Sequence, residues 1–189
     1  MKRAYIIVCL HVVFLPLGIH LSLATADTIE AKKERAKTAA EQITVMRGAL
    51  AKSFIKPKSE ITLATFKAVC GLVADTAKEI AKEEGFKIRH SAVKFRNPMH
   101  KATETEAGLL EKFDKNRKLT EFWDSVKLDG KEFLRYSKPI FVEEACLACH
   151  GPKKSRPDFI VEKYTEDKAY GFETGDLRGM ISVMLPAPE

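Results

Sequence analysis

The sequence predicts an α+β domain, an antiparallel sheet with helices packed on one side. Three observations carry this. The elements read helix, helix, strand, helix, hairpin, turn, strand, without the strand–helix alternation that a parallel sheet needs. Asp129-Gly130 lies between two strand-like runs as a hairpin turn. Of the 189 residues, 45% are apolar and 31% charged, which is enough apolar material for one core behind a single N-terminal apolar run. That balance excludes a disordered tail, a collagen-like repeat and a polytopic membrane protein.

Met1-Lys2-Arg3 precedes a mostly apolar stretch from Ala4 to Leu23 and then Ala24-Thr25-Ala26, the layout of a secretory signal peptide cleaved before Asp27. The competing reading is an uncleaved anchor, because the run is about long enough to span a bilayer. His11, Pro16 and His20 interrupt it, and small residues occupy the cleavage positions. Cys9 lacks the small residues that a lipoprotein box places before its cysteine, and it leaves with the leader. The expected organisation is a signal peptide at 1–26, an N-terminal amphipathic helix at 27–58 and a second region at 59–189. The expected location is the periplasm, with a membrane partner only if the leader is retained. Cleavage removes Lys2 and Arg3 and no acid, lowering the formal charge of +6 by two and leaving all 26 carboxylates. So mixed a surface gives no nucleic-acid footprint, and nucleic acid is excluded as a partner.

Asp27 to Phe54 is rich in Ala, Lys and Glu, with Ile43, Met46, Leu50 and Phe54 at helical spacing, and Pro57 stops it. Ser59 and Glu60 read as the cap and first turn of a second helix. Phe66, Val69, Cys70, Val73, Ala77 and Ile80 form its apolar face, and Gly85 closes it. Phe86, Ile88, His90 and Ala92 alternate as in a strand, and the phase then slips to Val93 and Phe95, a bulge or bend before Asn97-Pro98. Thr103 and Glu106 form a capping-box pattern ahead of Leu109, Leu110 and Phe113. Residues 120–128 and 131–137 are the hairpin strands, and Pro139 to Val142 continues extended. Gly175 and Gly179 precede a last strand with Ile181, Val183 and Leu185 in alternation.

Three cysteines survive maturation, Cys70, Cys146 and Cys149, an odd count that a disulfide framework alone does not use. Cys146-Leu147-Ala148-Cys149-His150 has the Cys-x-x-Cys-His form of covalent c-type haem attachment. Two thiols add to the two vinyl groups of one porphyrin, and the following histidine turns its imidazole onto the iron. The expected cofactor is one covalently attached haem c, held by Cys146 and Cys149 with His150 as an iron ligand. A thioredoxin-like disulfide would require a βαβ setting, and a zinc site would require a second ligand pair at short spacing. The sequence supplies neither.

Ala68-Val69-Cys70, Lys94-Phe95-Arg96-Asn97-Pro98, Pro139-Ile140 with the haem motif and Gly151, and Gly175-Asp176-Leu177-Arg178-Gly179-Met180-Ile181-Ser182-Val183 resemble, in that order, a family of exported single-haem c-type proteins. That family is catalogued as a domain of unknown function with a PAS-like fold. The likeness runs from about Ser59 to Pro186, so 59–189 is expected to be a PAS-like c-type haem domain. The resemblance implies His150 and Cys70 as the two axial ligands. Read from the residues alone, Cys70 is an odd thiol on an apolar helical face, a plausible ligand whose commoner role is that of a small core hydrophobe. The other sixth-ligand candidates are Met99, His100, His90, Met180 and Met184. A thiolate would hold iron at a lower potential than methionine. Arg96 and Arg178 are the candidates for binding haem propionates or bracing the pocket, because guanidinium pairs bidentately with carboxylate; Arg135 and Tyr136 share that possibility more weakly.

Two functional readings follow. One is a redox or small-ligand (gas) sensing module with His/Cys-ligated iron, read by a signalling or redox partner in the periplasm. The other is a periplasmic single-electron carrier, for which Lys153, Lys154 and Arg156 would supply a basic docking rim. No further constellation argues for catalysis, peroxidase chemistry included, so the chain is read as non-enzymatic.

Overall fold

A computed structural model of the chain describes residues 28–56 and 59–187. The leader expected at 1–26 lies outside the described residues. Helix α1, Ile29–Phe54, begins where the Thr28 hydroxyl accepts the Ala31 amide at 3.2 Å. Its buried line is Ala36, Ala39, Ala40 and Ile43, small residues that let the helix lie close on the sheet. Met46 and Leu50 pack at the margin of this core, whereas Phe54, expected on the apolar face, is the last helical residue and is 52% exposed.

The second helix starts later than expected. Thr62, not Ser59, is its N-cap, accepting the Thr65 amide at 3.2 Å, while Ser59 ties its own loop by donating to the Lys56 carbonyl at 2.8 Å. It runs as α2, Leu63–Phe66, a π-helical turn, Lys67–Gly71, and α3, Leu72–Glu84. Gly85 ends it at φ 67°, a left-handed conformation suited to glycine. Val69 and Val73 are buried, and Ala77 and Ile80 pack beside them on the α1 core.

Strand β1, Lys87–Ser91, is followed by a bend and a short 3₁₀ turn, Pro98–His100, after which Lys101 returns to bridge Ala92. The phase slip is only half realised, since Phe95 is buried but Val93 is 60% exposed on the bend. Helix α4, Glu104–Lys115, opens on the full Thr103/Glu106 capping box. Strands β2, Phe122–Leu128, and β3, Lys131–Phe141, are joined by Asp129 at φ 52° and Gly130 at φ 78°, the left-handed pair of a tight hairpin. Strand β4, Leu177–Pro186, completes an antiparallel sheet in the order β1-β4-β3-β2.

The α+β class is therefore as expected, but the helices are not confined to one side. Ile181, Val183 and Leu185 of β4, with Tyr136 and Ile140 of β3, pack beneath α1. Met180 points the other way, into Leu109, Leu110 and Phe113 of α4. The reason is topological. β4 is a central strand covered on both faces, so its sequence from Met180 to Leu185 is nearly all apolar rather than alternating. The exception, Ser182, satisfies its buried hydroxyl against Ser137 at 3.1 Å. Arg135 pairs with Asp124 (Nε to Oδ1 2.9 Å), and the Tyr136 hydroxyl donates to Glu121 at 3.0 Å. Both are thus engaged inside the sheet and its first helix layer, and neither reaches the motif.

On the α4 face, the buried Glu106 carboxylate accepts the Ser91 hydroxyl at 2.6 Å, Arg89 Nε at 3.0 Å and the Thr103 amide at 2.9 Å. Burial pushes its pKa up, but the Ser91 and Thr103 hydrogen bonds and the Arg89 charge outweigh burial and hold it below the ordinary 4.5. Its stabilisation is therefore present above pH 4.5 and lost as the pH falls through the lowered folded value. Glu106→Gln is expected to cost about 2 kcal/mol in urea unfolding at pH 7. The difference should narrow near pH 3, and an undiminished difference there would contradict the assignment.

Candidate functional site

Beyond β3 the chain is pinned before it turns. Val142 donates its amide to the Asp176 carbonyl and accepts the Gly175 amide, both at 2.8 Å. Residues Glu144–Cys146 then form a 3₁₀ turn that runs directly into α5, Leu147–His150. The motif is thus one irregular helical turn, the shape its spacing predicts. Gly151 permits the exit, because a Cβ there would stand 2.6 Å from the Leu147 carbonyl oxygen. The carbonyls of His150 and Gly151 accept the amides of Phe172 (3.1 Å) and Gly171 (2.6 Å), which strap the following loop across the turn.

That loop decides the state of His150. The ring Nδ1 lies 2.7 Å from the Ala169 carbonyl, which only accepts, so Nδ1 carries the proton and Nε2 keeps its lone pair. Burial, followed by the nearby Arg178 and Arg96 charges, holds the ring well below the usual histidine range, and it is neutral. Phe172 meets it edge-on at 6.0 Å.

Arg96 is nearly buried and braces the turn. Its Nη2 donates to the Cys149 carbonyl at 2.6 Å and to that of Ala169 at 3.3 Å, and its Nε faces Asp167 Oδ1 at 3.4 Å. With His150 Nδ1 protonated, the 3.4 Å approach of Arg96 Nη2 to that atom joins two donors and holds nothing. Asp167 is fully used: Oδ1 also accepts the Ala169 amide at 2.9 Å, and Oδ2 accepts Arg156 at 2.9 Å. Arg178 donates to the Lys94 carbonyl at 3.1 Å and stacks 5.6 Å from Phe172. Burial, then Arg47 and Arg96, push its pKa down to about 9.

Cys70 sits on the π-helical turn, half-buried, and belongs to the same charge neighbourhood as Cys146, Cys149, Arg47 and Arg178. All three thiols are free. Burial raises the pKa of Cys146, and it raises that of Cys149 to about 11 despite Arg96. The fold therefore gathers Cys70, Cys146, Cys149, His150, Arg96 and Arg178 from four separate stretches of chain. Met180 is in the α4 core on the opposite face, Met184 shares its side of β4, and Met99 is 76% exposed, so none of these joins them. His90 and His100 stack at 5.1 Å, and His90 borders Arg47, Arg178 and His150. Of the expected basic rim, Lys153 and Lys154 are exposed, while Arg156 is spent on Asp167.

Arg47 was not anticipated. It lies four residues past Ile43 on the buried stripe of α1, and a cation on an apolar stripe is the signal that would have found it. Its Nε and His90 Nε2 are buried without a hydrogen-bond partner. Among the described residues, no three or more His, Cys, Asp or Glu side chains are grouped to hold a metal ion by themselves. A cleft of about 990 Å³ between the end of α1, residues 59–63 and the outer side of the motif is lined by Ala145 and Ala148; it flanks the site without containing Cys70, Cys149 or His150.

The family described as Tll0287-like matches residues 25–186, which include every one of these side chains. The chain belongs to the Tll0287-like family. It is 44% identical to the cyanobacterial heme-protein Tll0287, whose crystal structure superposes with a TM-score of 0.75 over 86% of this chain and 99% of that one. No curated protein matches the chain. At that coverage the fold is shared over most of this chain and nearly all of that one.

If Asp167 ties the Tll0287-like site together, its removal strands two buried guanidinium groups. Asp167→Ala is expected to lower stability by about 3 kcal/mol. Arg96→Ala should cost a similar amount, and the double variant clearly less than the sum of the two in denaturant unfolding. Simple additivity would show that the two side chains act independently.

Proposed function

We propose that the chain is an exported c-type haem protein whose domain is PAS-like. One haem would be held through thioether bonds to Cys146 and Cys149, with His150 and Cys70 as axial ligands. The observation that carries this reading is the His150 ring: its Nδ1–H is committed to Ala169, leaving the Nε2 lone pair free in a turn whose two thiols precede it. A relative at 44% identity is a heme-protein, which supports the same cofactor here.

The residues present fit the group. Two free thiols stand at motif spacing, a neutral imidazole is locked in the ligating tautomer, and a third thiol approaches from the π-helical turn. A π-helical turn is a frequent setting for functional side chains because it breaks the regular helix register. With so few side-chain donors, an iron here depends on a ligand set that a porphyrin brings. When bound, haem would supply a one-electron iron couple and, if the sixth ligand is displaceable, a site for a small diatomic molecule.

In this reading the module responds to redox state or to a small ligand and passes that response to a periplasmic protein partner. This reading assigns it no catalytic role. The alternative is a single-electron carrier, favoured by the exposed Lys153 and Lys154 beside the motif, which suit an acidic docking partner. Absorption spectra of the matured protein, ferric, ferrous and ferrous with carbon monoxide, separate the two. A spectrum changed by carbon monoxide supports sensing, and an unchanged six-coordinate spectrum supports the carrier.

Variants test the ligands. Cys149→Ala is expected to impair covalent attachment, read as haem lost from the denatured polypeptide. His150→Ala is expected to abolish the native spectrum; a native-like one would refute the ligand assignment. Cys70→Ser should alter the ferric spectrum and raise the midpoint potential, because a charge-donating thiolate stabilises the ferric state. No change in either would remove Cys70 from the coordination sphere.

A further inference from the structure

We infer that Arg47, together with Arg178, forms a cationic cradle for the carboxylates of the group held by the Cys146–His150 turn, and that His90 lends it a hydrogen bond from the β1 side. The inference rests on the haem reading above and assigns the porphyrin's propionates to residues on α1, β1 and β4.

The argument begins with charge. Three guanidinium groups, Arg47, Arg96 and Arg178, act on one another and on His150 inside the site. Asp167 acts on Arg96 and Arg178 but not on Arg47, and its oxygens are already filled by Arg96, Arg156 and the Ala169 amide. Arg96 is therefore compensated. Arg178 has a neutral carbonyl, Lys94, and an aromatic ring. Arg47 Nε has no partner at all. A buried guanidinium without a counter-charge is costly, so its retention points to an anion that arrives with a ligand.

Position agrees with charge. Arg47 stands near Cys70 and Cys146, and His90 Nε2, the other unpartnered buried side-chain atom among the described residues, neighbours Arg47 and Arg178 from β1. The β4 backbone comes in against that ring at Gly179, where a Cβ would lie 3.0 Å from His90 Nε2. The two unsatisfied nitrogens thus belong to one place, lined by Arg cations and adjoining the thiols. A porphyrin attached there through its vinyl edge carries two carboxylates on its opposite edge, and guanidinium is the side chain best suited to receive them.

The test uses the full chain purified without haem under reducing conditions, titrated with hemin and with hemin dimethyl ester, in which both carboxylates are masked. Binding is followed by the Soret band. The wild type is expected to prefer hemin over the ester by at least about tenfold, the scale of one or two charge-assisted hydrogen bonds. Arg47→Met should bring that preference close to one while binding the ester normally, and Arg47→Lys should restore part of it. An Arg47→Met loss equal for both probes would overturn the cradle in favour of a general packing role. A loss that disappears in a Cys70→Ser background would overturn it in favour of a guanidinium serving the Cys70 thiolate. Absence of any Soret change in the wild type would instead overturn the haem reading on which the cradle rests.

Discussion

The site depends on one buried carboxylate. Asp167 holds Arg96 and Arg156 and fixes the Ala169 amide; Arg96 in turn holds the carbonyls of Cys149 and Ala169, and the Ala169 carbonyl takes the His150 proton. Three stretches of chain far apart in sequence, the bend after β1, the motif turn and the loop before β4, are joined by this single set of charge-assisted bonds. Because they lie out of water, each is stronger than on the surface and more costly to leave incomplete. The consequence reaches one atom: the lone pair of His150 Nε2 is free because Asp167, two contacts away, has settled where the Ala169 carbonyl points.

The sheet supplies the second constraint. β1 and β4 come so close at Gly179 that a Cβ there would stand 2.5 Å from the Ser91 carbonyl oxygen and 3.2 Å from Ala92 Cβ. Only glycine allows that approach. It lets β4 begin at the very edge where β1 bends away, so Arg178 and His90 share one end of the sheet. The α1 layer meets the same end through Arg47, which neighbours Cys70 of the π-helical turn and Cys146 of the motif. The opposite sheet face, under α4, is closed by Glu106 and carries none of the thiols.

What the sequence made legible was local. The motif turn, the Asp129-Gly130 hairpin, the Thr103/Glu106 capping box and the Gly85 stop each depend on residues a few positions apart, and their local energetics decide them. The start of the second helix failed by the same logic, because Ser59 and Thr62 are both good caps and the hydroxyl of Ser59 is drawn to the Lys56 carbonyl instead. Val93 and Phe54 are apolar where the backbone leaves an element, and apolarity alone does not say which side of an ending faces water. The two-sided sheet was hidden in β4, whose continuous apolar run reads as alternation if only every second residue is counted. Asp167 and Arg47 left no local trace of their roles, since the first meets Arg96 across 71 positions and the second matters only once the helices pack.

The pairing of these features has an energetic logic. A chain that collects Arg47, Arg96 and Arg178 around one site while pairing only Arg96 of the three with a carboxylate is less stable than it would be with apolar side chains in their places. Such a cost persists where something outside the chain offsets it. A ligand that binds the folded form alone adds stability that grows as the logarithm of its concentration relative to its Kd, and an anionic one binds best where unbalanced cations wait for it. Folding and occupancy are then linked through the same side chains. The half-buried Cys70, on a turn that is not a regular helix, stands where the helical layer meets this cluster of cations, next to Arg47 of α1.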